Sequence, residues 1–326
     1  MEKKKNDFIA QGSILAIASI LVRVMGMIYR IPMTAIIGDK GNGFYSYAYS
    51  VYTILLLLSS YSLPLAVSKM VSAKAQLGQW RNVKRVFICA IAFAIGIGTT
   101  FGLIVLIGAQ FFTRVFFHSE LAAIALRFMA PTILIMALLG VFRGFFQGLQ
   151  NTLPTAVSQI VEGLINAIMS VVFAYFLFDF GHGMDAAGGT TDLGYAWGAA
   201  GGAIGTGAGA LAGLIFCFIL FVAYRKILAV NISRDKTGTQ QEYGDIFRLM
   251  LSIALPVILS TALYNLIELV DGSLFNNIMA SKGMEDVKDS MWGAYNAKAL
   301  LLVHIPVSIS SAMAVSPIYA AAWTGS

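Results

Sequence analysis

Residues Ile14 to Ile37 read ILAIASILVRVMGMIYRIPMTAII, and the reading of this run decides the fold. Its 24 residues suffice to cross a bilayer, which takes about 20 apolar residues rising about 1.5 Å each. Two of them are arginines, Arg23 and Arg30. A guanidinium at the centre of such a helix costs about 2.5–3.5 kcal/mol on insertion scales, and each aliphatic neighbour returns only about 0.3–0.6 kcal/mol. Seven residues at about 100° each come within ~20° of two full turns, so the two arginines share one helix face about 10.5 Å apart. Ser19 and Gly26 fall on the same stripe. Serine, glycine and two arginines in a line read as the wall of a wet cavity. Snorkelling to the surface is the alternative, and it suits Arg30, beside Pro32, better than Arg23.

Working outward, hydrophobic residues make up 58% of the chain and charged residues 12%, with a mean hydropathy of +0.78. Soluble globular domains lie far from these values. Eight apolar segments follow one another: Gly12–Ile37, Phe44–Val71, Val86–Phe112, Leu121–Leu149, Pro154–Phe180, Tyr195–Tyr224, Ile246–Ala280 and Trp292–Trp323. The expected class is an all-α integral membrane protein, a polytopic bundle of about 8 transmembrane helices. Pro64, Pro131, Pro256 and Pro306 fall inside segments and mark kink points, since each lacks a backbone donor.

The net charge of +6 does not point to nucleic acid, because the basic residues crowd into alternate loops. Lys3, Lys4 and Lys5 precede the first segment; Lys74, Arg81, Lys84 and Arg85 follow the second; Arg225, Lys226, Arg234, Lys236 and Arg248 follow the sixth. The intervening loops carry Asp179, Asp185 and Asp192, then Glu285, Asp286 and Asp289 with Lys282 and Lys288. The positive-inside rule puts the N-terminus in the cytoplasm. Lys69 and Lys298 read as interfacial anchors, Tyr45, Tyr47, Tyr49 and Tyr52 as an aromatic belt, and His304 as a packed side chain. Cys89 and Cys217, both within apolar runs, predict neither a disulfide nor a metal site. No small-residue cleavage site follows the first segment, which is read as an uncleaved span. The glycines of the sixth segment, Gly198 to Gly213, predict close helix packing.

A shift of 248 residues places Tyr47 on Tyr295, Ala66-Val67-Ser68 on Ala314-Val315-Ser316, Ala73 on Ala321, Ser60 and Ser62 on Ser308 and Ser310, and Val22-Arg23 on Val270-Asp271. Segments one and two thereby map onto seven and eight, the parallel kind of transporter repeat. On this reading residues 1–230 form a six-helix N-terminal lobe, 231–245 a cytoplasmic linker, and 246–326 the first two helices of a second lobe that the chain leaves unfinished.

Polar residues also line two later segments. Gln159, Glu162, Asn166 and Ser170 share one face of the fifth; Thr261, Tyr264, Asn265, Glu268, Asp271, Gly272 and Asn276 gather on the seventh. With Arg23 and Arg30 they make two positive and three negative groups at membrane depth, a near-balance that a shared aqueous cavity accommodates. Arg23 and Arg30, with Ser19 and Gly26, are the candidate binding residues for an anionic head group, since guanidinium forks onto diphosphate oxygens. Glu162, Asn166, Glu268 and Asp271 are the candidates for a coupling proton or cation. Permanent ion pairs locking helices together are the structural alternative.

The pattern Val22-Arg23-Val24-Met25-Gly26-Met27-Ile28-Tyr29-Arg30-Ile31-Pro32, followed by Gly38 and Gly43-Phe44-Tyr45, resembles the polysaccharide-transporter branch of the MOP (MATE-like) superfamily. It is most similar to the stage V sporulation protein B group, relatives of the MurJ/MviN lipid II flippases. Phe142-Arg143-Gly144-Phe145-Phe146-Gln147-Gly148-Leu149-Gln150-Asn151, then Pro154 and Gln159, and Pro256 in the seventh segment, resemble that group as well. The resemblance covers essentially the whole chain. It implies two six-helix lobes about a central cavity, and alternating access that carries lipid-linked saccharides from the inner to the outer leaflet. The role of first-span arginines at the lipid diphosphate carries over to Arg23 and Arg30 alone.

The expected function is a flippase of the bacterial cytoplasmic membrane for undecaprenyl-diphosphate-linked saccharides, either peptidoglycan precursor or polysaccharide units. It is expected to act as a monomer, with lipid and saccharide as partners, no nucleic acid, no cofactor, no catalytic residue and no resident metal, coupled to H+ or Na+. Rival readings are a drug or cation antiporter of the same fold, a membrane-embedded glycosyltransferase or ligase, and a structural scaffold.

Overall fold

A computed structural model describes residues 2–188 and 192–300. His304, Pro306, the greater part of the eighth segment and the later repeat partners from Ser308 to Ala321 lie outside the described residues. Every described element is helical: α1 (Glu2–Ile28), α2 (Arg30–Leu56), α3 (Leu63–Gln76), α4 (Trp80–Phe117), α5 (Ala122–Gly148), α6 (Leu153–Gly188), α7 (Leu193–Ser233), α8 (Tyr243–Ser281) and α9 (Glu285–Ala294). Among the described residues six helical stretches are long and apolar enough to cross a membrane, from Arg30–Gln76 to Tyr243–Ser281, and Ile17–Ile28 is a shorter apolar helix.

The first apolar segment is one nearly continuous rod. Tyr29, between α1 and α2, keeps helical angles (φ −71°, ψ −20°), and its N–H donates to the Met25 carbonyl at 3.2 Å while its own carbonyl accepts from Met33 N–H at 3.2 Å. The rod stops at Gly38, whose φ of 62° and ψ of −177° belong to a region that L-residues with a Cβ avoid. The second segment divides: α2 passes through a π-helical turn at Leu57–Tyr61 into α3. Pro64 lies just beyond that turn, where its missing N–H leaves the ladder open to the wider register. Pro131 and Pro256 sit inside α5 and α8 without interrupting them.

The glycine run of α7 lies against α6 as close packing requires. A Cβ at Gly201 would overlap the backbone of Phe173 and Ala174, and one at Gly205 the backbone of Ser170. Without side chains at these positions the two backbones approach closely enough for dispersion contacts along their length.

Lys288 and Asp289, read from the sequence as charges of a connecting loop, lie within α9 and are buried. Lys288 Nζ donates to the carbonyls of Phe117 (3.0 Å) and His118 (2.9 Å), which are among the free acceptors at the end of α4. His118 there has a left-handed φ of 51°. The contact between α2 and α9 is reciprocal: Gly43 faces the Asp289 carbonyl and Gly293 the Asp39 carbonyl, and neither has room for a Cβ. Tyr47 is held beside this contact, stacked on Phe117 (4.6 Å between ring centres) and Trp292 (6.3 Å), with its hydroxyl donating to Asn276 Oδ1 at 3.0 Å. The tyrosines of α2 are therefore no lipid-facing belt. Tyr45, Tyr47 and Tyr52 are buried, and only Tyr49 is exposed to any extent.

The connection between α7 and α8 is pinned to the start of α4. Asp235 accepts from Arg81 N–H (2.9 Å), Thr237 N–H (2.9 Å) and Thr237 Oγ1 (2.6 Å). These bonds, led by the Arg81 amide, hold its carboxyl down to about 2. Asn82 donates to the Thr239 carbonyl (3.1 Å) and accepts from Gln241 N–H (3.0 Å), and Arg85 reaches the Gln241 carbonyl at 2.6 Å.

Candidate functional site

The stripe foreseen on the first rod is displayed on one side of α1 and the start of α2. Arg23 is exposed and Arg30 half-buried. A Cβ at Gly26 would meet nothing within 4 Å, so the strip between the two arginines is open. Ser19 turns its hydroxyl to its own helix, donating to the Leu15 carbonyl at 2.9 Å. The flank of α1 adjoining the strip does pack: Val22 and Met25 cover Gly163 of α6.

Arg30 has the richer setting. It lines a small recess with Tyr29, Asn42, Tyr45, Ser46 and Asn296, bringing α2 together with the π-helical turn that follows α9. Along α2 the rings run on as a ladder, Tyr45 to Tyr49 at 5.8 Å and Tyr49 to Tyr52 at 5.9 Å. Such spacing follows from residues four and three apart on one helical face. Tyr49 lies within electrostatic reach of both Arg30 and Glu268, and Ser50 donates to Glu268 Oε1 at 3.4 Å. Thus Glu268 of α8 is bonded to α2 beside Tyr49. Asp271, one turn on, is exposed.

The acids of the two expected clusters have different partners. Glu162 belongs to α6 and forms an ion pair with Arg143 of α5, Nη2 to Oε2 at 2.7 Å, while Arg143 Nε donates to Ser158 Oγ at 2.8 Å. Side-chain exposures of 11% and 24% put the pair largely out of water. Tyr52, at the end of the ring ladder, lies within electrostatic reach of Glu162. Asn166 accepts from Ser170 Oγ at 2.8 Å and packs on Gly209 of α7. Arg143 is the residue that a count of two cations and three acids overlooked. Its signal was a lone charge inside the aromatic run Phe142 to Phe146.

Lys298 anchors by pairing with Asp39 at 2.8 Å, and Lys40 pairs with Asp192 at 2.8 Å. Both bridges tie the Gly38 turn to neighbouring elements. Chemically, the open strip and the recess offer two guanidinium groups, with tyrosine and amide groups beside Arg30: a surface for an anion with polar substituents.

Comparison with known proteins follows the same lines. The family model described as "Polysaccharide biosynthesis protein" matches residues 8–323. Lipid II flippase MurJ of Bacillus subtilis (strain 168) is 26% identical over 314 residues, which cover 93% of this chain and 55% of that protein. Stage V sporulation protein B of the same organism is 24% identical over 317 residues, 96% of this chain and 57% of that protein. The chain thus spans a little over half the length of these relatives. Among solved structures, a multidrug resistance MATE family transporter of the MOP superfamily in an outward-facing conformation aligns with a TM-score of 0.61 at 15% identity, over 96% of this chain and 64% of that one. A MOP superfamily transporter from Pyrococcus furiosus aligns at 0.59, also at 15% identity, over 95% of this chain and 68% of that one. The fold is theirs, and with the family model matching nearly every residue, the chain belongs to the polysaccharide biosynthesis protein family.

Proposed function

We propose that this chain carries the substrate-binding wall of a flippase that moves undecaprenyl-diphosphate-linked saccharides across the bacterial cytoplasmic membrane by alternating access. The observation that carries the reading is the open strip from Arg23 across Gly26 to Arg30, with Arg30 set in a polar recess. Arg23 and Arg30 grip the diphosphate, each guanidinium offering parallel donors to its oxygens. Tyr49, the exposed ring of the ladder, offers its face to what the diphosphate carries. Glu268, opposite Arg30 across Tyr49, takes the coupling proton or cation, and Asp271 extends the same acidic face. Glu162 is the less suited carboxylate, because Arg143 already occupies it. In this reading residues 1–230 act as one lobe and residues from 246 onward begin its counterpart, with the N-terminus in the cytoplasm. MurJ and stage V sporulation protein B, similar over nearly the whole chain, support the substrate class. A drug or cation antiporter shares the fold, but two arginines on the open strip repel a cation.

The test is the double variant Arg23→Ala/Arg30→Ala in proteoliposomes, assayed for outward exposure of undecaprenyl-diphosphate-linked saccharide and for binding of undecaprenyl diphosphate. Charge-assisted bonds worth about 1.5–3 kcal/mol each predict a fall in affinity of at least about tenfold per arginine. Unchanged exposure and affinity would reject the reading.

A further inference from the structure

A second recess, of about 220 Å³, lies where α3, α4, α5 and α7 meet at the end of the bundle that carries the basic loops. Its walls combine two aromatic rings, Trp80 and Tyr224, with the side chains of Ser72, Gln76 and Gln150, above a floor at Gly148. Among the described residues no charged one lines it. Liquid water takes about 30 Å³ per molecule, so the space holds the volume of about seven waters, the scale of one pyranose ring with its hydroxyls.

The walls are built rather than incidental. Tyr224 is fixed edge-on by Phe145 (6.1 Å) and Phe146 (6.4 Å). Gln76 Nε2 donates to Ser72 Oγ at 3.2 Å, setting a polar ledge along α3. Gly148 is pressed on Val71 and the Ser68 carbonyl, so closely that a Cβ would be excluded. Gln150 stands in the left-handed region with a φ of 60°, just past the end of α5. Two hydrogen bonds close that helix end, Gln150 N–H to the Gln147 carbonyl (2.9 Å) and Asn151 N–H to the Phe146 carbonyl (3.1 Å). Glycine fills this position at lower cost. Gln150 thus closes α5 as a left-handed C-cap, as His118 closes α4, and this cap places it at the rim of the recess.

We infer that this recess is a docking site for a single neutral pyranose unit of the lipid-linked saccharide, separate from the arginine strip. Flat rings meet the C–H faces of a sugar, while amides and a hydroxyl both donate to and accept from its hydroxyls. An ion finds no counter-charge there. Lys74, Arg81, Arg225 and Lys226 adjoin the lining residues in sequence, and they favour a sugar that arrives attached to an anionic diphosphate. The inference rests on the flippase reading and deepens it, naming where the saccharide is held before it crosses.

The experiment measures binding to the 326-residue chain in nanodiscs of three probes: undecaprenyl diphosphate, the same lipid bearing one N-acetylglucosamine, and free N-acetylglucosamine. The sugar-bearing lipid is expected to bind about tenfold tighter than the bare lipid, with free sugar competing only at millimolar concentration. Gln150→Gly and Gln76→Ala should each erase most of that increment and leave bare-lipid affinity intact. Gln150→Gly should also unfold at the same or a higher temperature, since glycine relieves the strained backbone. Equal affinity of the unsubstituted chain for the two lipids, or an increment that survives both substitutions, overturns the proposal. Failure of the arginine reading shows separately, as bare-lipid affinity that Arg23→Ala/Arg30→Ala leaves unchanged.

Discussion

Arg143 and Glu162 pose the sharpest question at the scale of single residues, because a carboxylate on a polar helix face is open to two roles. With its partner at 2.7 Å and Ser158 completing the bonding of the guanidinium, Glu162 acts here as a lock between α5 and α6. Removing one partner strands the other in a poorly solvated site, a loss of about 3–5 kcal/mol for a fully buried pair. Partial exposure lowers the expectation for Arg143→Ala to about 2–3 kcal/mol. Glu162→Ala should cost a similar amount, and the double variant less than the sum of the two. Denaturant unfolding of the four proteins in detergent measures this, and additive losses would show that the pair is not coupled. The sequence disclosed the spacing of Arg23 and Arg30 and the shared face of Glu162 and Asn166, because helical periodicity is local. It could not disclose that Glu162 meets Arg143, 19 residues away, since their partnership depends on how two successive helices are rotated against each other. For the same reason Tyr45, Tyr47, Tyr49 and Tyr52 read as a belt: composition near a helix end reports depth, whereas the burial of Tyr47 against Phe117 and Trp292 is a property of the fold.

Among the elements, two junctions decide how the chain is held. The α2–α9 contact works because Gly43 and Gly293 let each backbone touch the opposite carbonyl. Gly43→Ala should destabilise the protein by about 1–3 kcal/mol or more, with α9 the first element to lose protection in hydrogen exchange. Ordinary stability and protection would mean the two helices yield without cost. The α7–α8 connection depends on a carboxylate. Asp235 is held at about 2, below its usual 3.8, so its contribution is fully present above that usual value. It is lost as pH falls through the depressed one. Protection of the amides over residues 234–242, taken relative to the intrinsic exchange rate at each pH, should therefore fall between about pH 4 and pH 2, and Asp235→Ala should show the low protection already at neutral pH. Segment boundaries were legible where residue chemistry sets them: Gly38 ends the first rod where the apolar run ends. The π-helical turn before Pro64 was legible only as a kink, since the register a helix adopts around a missing donor is settled by its neighbours.

For the whole molecule, the all-α polytopic class followed from hydropathy alone, because a bilayer leaves an apolar chain of this length few alternatives to helices. The account stands on a further claim, that the strip from Arg23 to Arg30 faces water within the membrane. Both native cysteines, Cys89 and Cys217, are buried, so a single introduced thiol can be read without background. The direct measurement is labelling of Gly26→Cys in liposomes by a membrane-impermeant maleimide, with and without undecaprenyl diphosphate. The account predicts prompt labelling that the lipid suppresses. A thiol that reacts only with a lipid-soluble maleimide, and at the same rate whether or not the lipid is present, would contradict it.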